Sequence, residues 1–421
     1  MKTNTVFYRG IINSSISRYG LYLFQFISMV LLARIFSPEI YGIITAATVF
    51  FIFFQMMTET GLGPAIINLK VFKIDDRNGL FGLLIFCGLI TSITLFFLNE
   101  FLGNLYGSEK LSDVIPHVSL AIFFVFCSAV PNAFLLREKS FYKIATAGIL
   151  AECIGTSFAV FLAYAIPPHE ALAFRMPILS MVNFFIMYMF SSYTEFGRPK
   201  PTLNFKAIKP LLEFVKYQFG FNLVNFFSRN IDSILIGKYL GFNILGAYDR
   251  AYQLMKYPLM ALTFAMTPAI QPEIHKNNKN KKVIYALHKE FTLRLSFIAI
   301  IPGFLIWYLS DWIINILFGS NWSEAIPILK ILSISVPIQI ILSTSGSFFQ
   351  GMNQPKILFY VGLVNSFLTI SGIIFGIYLN NLQMLCWLIV ITTHINFVIC
   401  YKVMHDRCYQ ESSIKFFLGV S

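Results

Sequence analysis

The chain has 421 residues, of which 57% are hydrophobic and only 12% charged, where a soluble globular chain carries roughly 25% charge. Its apolar residues come in runs of about 20, such as Leu80 to Phe97 and Ile357 to Leu379, the length that crosses ~30 Å of hydrocarbon. A soluble globular protein is excluded. The net charge of +12 sits mostly in loops, where membrane topology and anionic lipid headgroups account for it better than nucleic acid does.

In chain order, Met1 to Gly10 is polar, and the apolar stretch after it is too long for a cleavable signal peptide and lacks a small-residue cleavage site. About twelve spanning helices are predicted, near 11–33, 41–67, 80–102, 115–136, 144–166, 171–191, 211–239, 245–270, 291–314, 327–350, 357–379 and 383–404. The loops between them sort by charge. One set carries Lys2, Arg9, Lys70, Lys73, Arg77, Arg137, Lys139, Lys143, Arg198, Lys200, Lys276, Lys279, Lys281, Lys282, Lys356, Lys402 and Arg407, and the other little beyond Arg34 and Lys110. Loops rich in Lys and Arg stay in the cytoplasm, so both termini are expected there, as an even helix count requires. The outer loops, such as 167–171 and 380–381, are too short to fold into a domain. The longer connection 192–210 carries Pro199, Pro201 and Pro210 and reads as a linker.

The first outer turn, Ala33 to Gly42, returns about 204 residues later as Gly237 to Gly246. The same offset carries Pro64-Ala65-Ile66 onto Pro268-Ala269-Ile270, and Tyr106-Gly107-Ser108 is echoed by Phe318-Gly319-Ser320. The expected architecture is therefore an all-α polytopic membrane protein of two six-helix bundles, 1–200 and 201–421, related as parallel repeats about an axis along the membrane normal. Such proteins are usually transporters.

Polar side chains inside spans are costly and face a bundle interior or a hydrated cavity. Helix 7 carries Gln218, Asn222, Asn225, Arg229, Asp232 and Ser233 at spacings that share one face, and its repeat mate, helix 1, carries Ser14, Arg18, Gln25 and Ser28. Helix 2 adds Thr45, Thr48, Gln55 and Glu59, and helix 8 adds Asp249, Gln253, Lys256 and Thr263. Four polar faces, two per half, fit one central cavity. Each site has a plainer alternative. Arg229 and Asp232 are placed to neutralise each other, Arg18 to snorkel to the surface, and Glu59 to be a solvated carboxylate. Asp249, Arg250 and Lys256 can pair locally, and Glu152 and Arg175 are candidates for a mutual pair. His117 and His394 read as core histidines, and Pro131, Pro177, Pro258, Pro302 and Pro337 as breaks in spans. The six cysteines are scattered without a CxxC pair, so neither metal nor disulfide is expected. GxSxG, P-loop, HExxH and GxGxxG motifs are absent. No cofactor is expected, and the energy source falls to a proton or sodium gradient or to the substrate's own gradient.

The stretch Leu31 to Gly42 resembles the first outer turn of polysaccharide-transport proteins. Thr58 to Ala65 resembles their acidic-then-GLG segment. Asp232 to Gly237 with Leu245-Gly246-Ala247-Tyr248 and Ala251-Tyr252 is similar to their second-half signature, and Phe318-Gly319, Trp322 and Ala325 to their late outer loop. In order and spacing these resemble the Wzx-type O-antigen and polysaccharide flippases of the multidrug/oligosaccharidyl-lipid/polysaccharide exporter superfamily. The resemblance implies translocation of an undecaprenyl-diphosphate-linked oligosaccharide to the outer leaflet of a bacterial inner membrane, alternating access and a V-shaped cavity between the bundles. It also implies a polysaccharide polymerase and chain-length regulator as partners. Arg18 and Arg229 best fit cations that hold the diphosphate, Gln25, Asn222 and Asn225 suit the glycan, and Glu59 and Asp232 are the ion-coupling candidates. The rivals are a cation-coupled drug exporter, which would favour an acidic cavity, a lipid II flippase with more arginines in the first bundle, and a membrane polymerase, which would need a larger outer loop.

Overall fold

The computed structural model describes residues 2–58, 74–202, 212–276, 280–352 and 354–409. Among these residues the chain forms fourteen α-helices and no strands. They are α1 (Lys2–Ile35), α2 (Pro38–Met56), α3 (Ile74–Phe97), α4 (Asn99–Tyr106), α5 (Glu109–Arg137), α6 (Phe141–Leu162), α7 (Pro168–Ser191) and α8 (Leu212–Tyr239). Then follow α9 (Phe242–Lys276), α10 (Lys281–Leu317), α11 (Ala325–Ser333), α12 (Val336–Gly351), α13 (Pro355–Tyr378) and α14 (Leu382–Tyr409).

Fourteen helices and twelve spans agree once two features are recognised. With eight residues, α4 is ~12 Å long at 1.5 Å per residue and cannot cross a bilayer. The expected third span, 80–102, therefore ends at Phe97, and its tail becomes a separate short helix. The expected tenth span is α11 and α12 together, bent by 54° at a short break. Pro337 lies just past this break. It lacks an N–H and its ring crowds the preceding turn, and the chain tightens there with Ser335 N donating to Leu332 O at 3.0 Å. The other four prolines lie inside helices that continue through them.

Helix ends follow local chemistry. Proline, whose missing donor costs nothing at a first turn, opens α2, α7 and α13. The side chains of Ser108 and Asn280 accept from Leu111 N and Val283 N at 3.3 Å and cap α5 and α10. The repeat is visible in these ends. α1 stops at Ile35 and α2 starts at Pro38, while α8 stops at Tyr239 and α9 starts at Phe242, the same turn at the repeat offset. Gly107 and Gly319, which occupy matching places in the later outer turns, both have left-handed φ, 65° and 96°. Gly42 and Gly246, also repeat mates, answer to one another. A Cβ on Gly42 would overlap the carbonyl of Phe242, and a Cβ on Gly246 would overlap that of Pro38. The first turns of α2 and α9 thus cross backbone on backbone.

The chain divides into two compact units, Met1–Gly246 and Ala247–Ser421. In the first, α5 is central and packs on α2, α3, α4 and α7, while α6 packs on α1 and α7. Val114, Ile115, Val118, Ile122, Val130 and Phe134 of α5 are fully buried. In lipid such packing gains dispersion contacts rather than relief from water. The segment after α7 is held to this unit. Asn78 accepts Thr202 N on its carbonyl at 3.3 Å and Lys200 N on Oδ1 at 2.9 Å. Tyr188 donates its hydroxyl to Pro199 O at 3.1 Å, and Arg77 donates to Phe196 O. A Cβ on Gly82 would overlap the Thr202 carbonyl, so residues 196–202 lie directly on α3.

In the second unit α14 packs on α10, α11, α12 and α13, and α10 packs on α11 and α12. Ile274, Ile284, Phe348, Phe349, Cys400 and Met404 form a core at the basic-loop end. Trp322 is buried against Phe318 at the opposite end, ring centres 5.4 Å apart.

Candidate functional site

Among the described residues, eight helices are long and apolar enough to cross a membrane on their own, and up to nine if the bent pair is one span. The long helices outside that set are α1, α8 and α9, three of the four that carry the polar stripes.

On α1, Arg18 is exposed and Gln25 half-buried, whereas Ser28, further along the same stripe, is buried. On α8, Arg229 is exposed, Asn222 is buried at 2% exposure, and Asp232 is buried with Oδ1 accepting Ser233 N at 2.8 Å. Among the described residues no ion pair joins Arg229 to Asp232. Asn225 lies on the same helix, its side chain outside the described part. Glu59 falls outside the described residues altogether. α8 is anchored to α2 by Phe226 against Phe53, edge to face at 5.0 Å.

The plainer alternatives hold at several other positions. Arg250 pairs with its neighbour Asp249, and Lys256 lies over the ring of Tyr252 at 4.2 Å, one helical turn away. His117 Nδ1 meets Asp113 O at 3.1 Å and packs its ring on Phe174, and His394 Nδ1 meets Val390 O at 2.8 Å. Glu152 and Arg175 do pair. What the sequence does not disclose is the chain beyond that pair. Arg175 Nε lies 3.5 Å from Thr156 Oγ1, and Thr156 donates to Ser28 Oγ at 3.0 Å. The pair is thereby tied across α6 to the α1 stripe, and only the i to i+4 spacing of Glu152 and Thr156 hints at this beforehand.

A second buried polar group, His288 of α10, gives no signal in the sequence because it sits among Lys and Glu near a helix end. Its Nε2 meets Ser345 Oγ at 3.3 Å and its ring packs edge to face on Phe348. At the end of the unit where α8 turns into α9, Tyr106 of α4 stacks on Phe242, and burial pushes its phenol above the ordinary 10.0, keeping it neutral. Among the described residues no three His, Cys, Asp or Glu side chains are grouped to hold a metal, and Cys87, Cys127, Cys153, Cys386 and Cys400 are free thiols.

Residues 31–327 match the family model described as "Polysaccharide biosynthesis protein". Among relatives, the succinoglycan biosynthesis transport protein ExoT of Rhizobium meliloti (strain 1021) is 24% identical over 383 residues, covering 90% of this chain and 76% of that one. The lipopolysaccharide biosynthesis protein WzxC of Escherichia coli (strain K12) is 24% identical over 357 residues, covering 83% and 71%. Among solved structures, the lipid II flippase MurJ in an inward closed conformation superposes with a TM-score of 0.78 at 18% identity, covering 94% of this chain and 87% of that one. An inward-facing multidrug transporter of the MATE family and MOP superfamily superposes at 0.72 and 13% identity, covering 92% and 94%. At these identities the shared property is the fold, an all-helical transporter fold. The family match spans most of the chain and includes the repeated turn and the α8 stripe, so the chain belongs to the polysaccharide biosynthesis protein family.

Proposed function

We propose that this protein is a flippase that carries an undecaprenyl-diphosphate-linked oligosaccharide from the cytoplasmic to the outer leaflet of a bacterial inner membrane by alternating access. The observation that carries the reading is the pair of cation-bearing polar stripes on α1 and α8, on a transporter fold within a polysaccharide-biosynthesis family. A lipid diphosphate needs fixed positive charge, and arginine grips phosphate oxygens in pairs. Arg18 and Arg229 take that role, Gln25, Asn222 and Asn225 meet glycan hydroxyls, and the prenyl tail stays in lipid. Glu59 and Asp232 serve coupling to a proton or sodium gradient. The excess of Lys and Arg in alternate loops orients both termini to the cytoplasm, and the repeat assigns 1–200 and 201–421 to the two bundles. A polymerase and a chain-length regulator consume the product outside. A drug exporter of the same fold would call for predominantly acidic stripes, and those on α1 and α8 hold at least as many cations as anions.

The test is leaflet accessibility of the lipid-linked glycan in cells lacking the protein. Wild type is expected to restore outer exposure, and the Arg18→Ala/Arg229→Ala double variant to fold yet lose most of it. Full flipping by that folded variant removes the arginine assignment, and outer exposure without the protein removes the flippase reading.

A further inference from the structure

Glu152 stands at the middle of α6, ~15 Å from either end at 1.5 Å per residue, and is 3% exposed. Its partner is Arg175 of α7, whose side chain keeps 26% of its surface accessible. Thr156 and Ser28 continue the polar chain from this pair to α1. Charges at such depth are expensive, and a buried pair that does nothing is no more stable than well-packed apolar residues in its place. The asymmetry is informative. The carboxylate is sealed in, while the arginine side chain stays partly accessible and, of its five N–H groups, those on Nε and Nη2 are the ones engaged among the described residues.

The charge balance fixes what this arrangement does. As it stands the pair is neutral. An anion arriving at Arg175 on its own would leave a net negative charge in the bundle interior and strip Glu152 of its counter-cation. One proton from water on Glu152 removes both penalties, since arginine then faces the anion, the carboxyl is neutral, and the site again carries no net charge. Among the described residues no second cation pairs with Glu152. α7 presents Arg175, α1 presents Ser28 and, two turns away, Leu21 against Gly148, with Arg18 a further turn beyond and exposed, and His117 of α5 is turned to Phe174.

We propose that Arg175 is a subsite for a phosphate oxygen of a prenyl diphosphate and that Glu152 takes up one proton each time that subsite fills. The assignment rests on the flippase reading and deepens it, because a site that stays neutral when it fills holds the anion without leaving uncompensated charge in the bundle. By reciprocity, protons then tighten anion binding as much as the anion tightens proton binding.

The test uses the purified full chain in phosphatidylcholine nanodiscs, titrated with farnesyl diphosphate in weakly buffered solution containing a pH indicator. Wild type is expected to take up about one proton per ligand, with affinity falling about tenfold per pH unit over part of the range. Glu152→Gln, neutral from the start, is expected to bind at every pH without uptake. Arg175→Met is expected to lose at least tenfold in affinity, and Arg175→Lys, which keeps the charge, to bind more weakly with uptake preserved. Melting curves establish that each variant is folded. The proposal is overturned if wild type binds without uptake or does not bind, if Glu152→Gln retains uptake, or if folded Arg175→Lys and Arg175→Met both bind like wild type. Uptake driven by added phosphatidylglycerol, with no response to farnesyl diphosphate, overturns the prenyl diphosphate assignment in favour of a lipid headgroup. None of these readouts depends on glycan exposure in cells, so the subsite and the flippase reading stand or fall separately.

Discussion

At the scale of single residues, two glycines carry the crossing of α2 and α9. Gly42 and Gly246 meet backbone carbonyls, which cannot move aside as a flexible side chain can. Gly42→Ala and Gly246→Ala are each expected to cost about 1–3 kcal/mol or more from overpacking, read as a lowered melting temperature in detergent. Gly362 of α13 is the control, because a Cβ there meets nothing within 4 Å. Gly362→Ala is expected to be neutral or to stabilise by up to about 1 kcal/mol through helix propensity. Equal melting of all three variants would remove the crossing as the reason these glycines stand in the repeated motif.

At the scale of elements, two devices decide where helices start and how a connection is held. Asn280 caps α10 at its basic end, accepting Val283 N. Asn280→Ala is expected to cost about 1 kcal/mol and to raise amide exchange over the first turn of α10, leaving the rest of that helix unchanged. Asn78 holds the segment after α7, accepting Lys200 N on its side chain. Asn78→Ala removes that acceptor while leaving the backbone bond from Thr202 N intact. The Lys200 amide is expected to exchange about tenfold faster, the response of a local opening and not of global unfolding. Unchanged exchange at Lys200 would mean that Tyr188 and Arg77 hold the segment without Asn78.

At the scale of the whole molecule, charge and repetition set topology. Reporter fusions to either terminus are expected to behave as cytoplasmic, fluorescent as green fluorescent protein and inactive as alkaline phosphatase. An active phosphatase at either end would contradict the charge rule for this chain.

The sequence by itself determined the number of spans, the repeat, the turn at residues 35–38 and its mate at 239–242, and the polar stripes of α1 and α8. All of these depend on quantities that a single helix carries, namely apolar length against bilayer thickness, 3.6-residue periodicity and the identity of turn residues. Only the tertiary structure decided that α4 stands apart from α3, that α11 and α12 bend by 54°, and that residues 196–202 lie on α3. It alone brought Gly42 to Phe242, placed His288 beside Ser345, and linked Arg175 and Glu152 through Thr156 to Ser28. The physical reason is that periodicity says which residues share a face of one helix. Which other helix that face meets, and how closely the backbones approach, is set by side-chain volumes and hydrogen-bond partners contributed from distant parts of the chain.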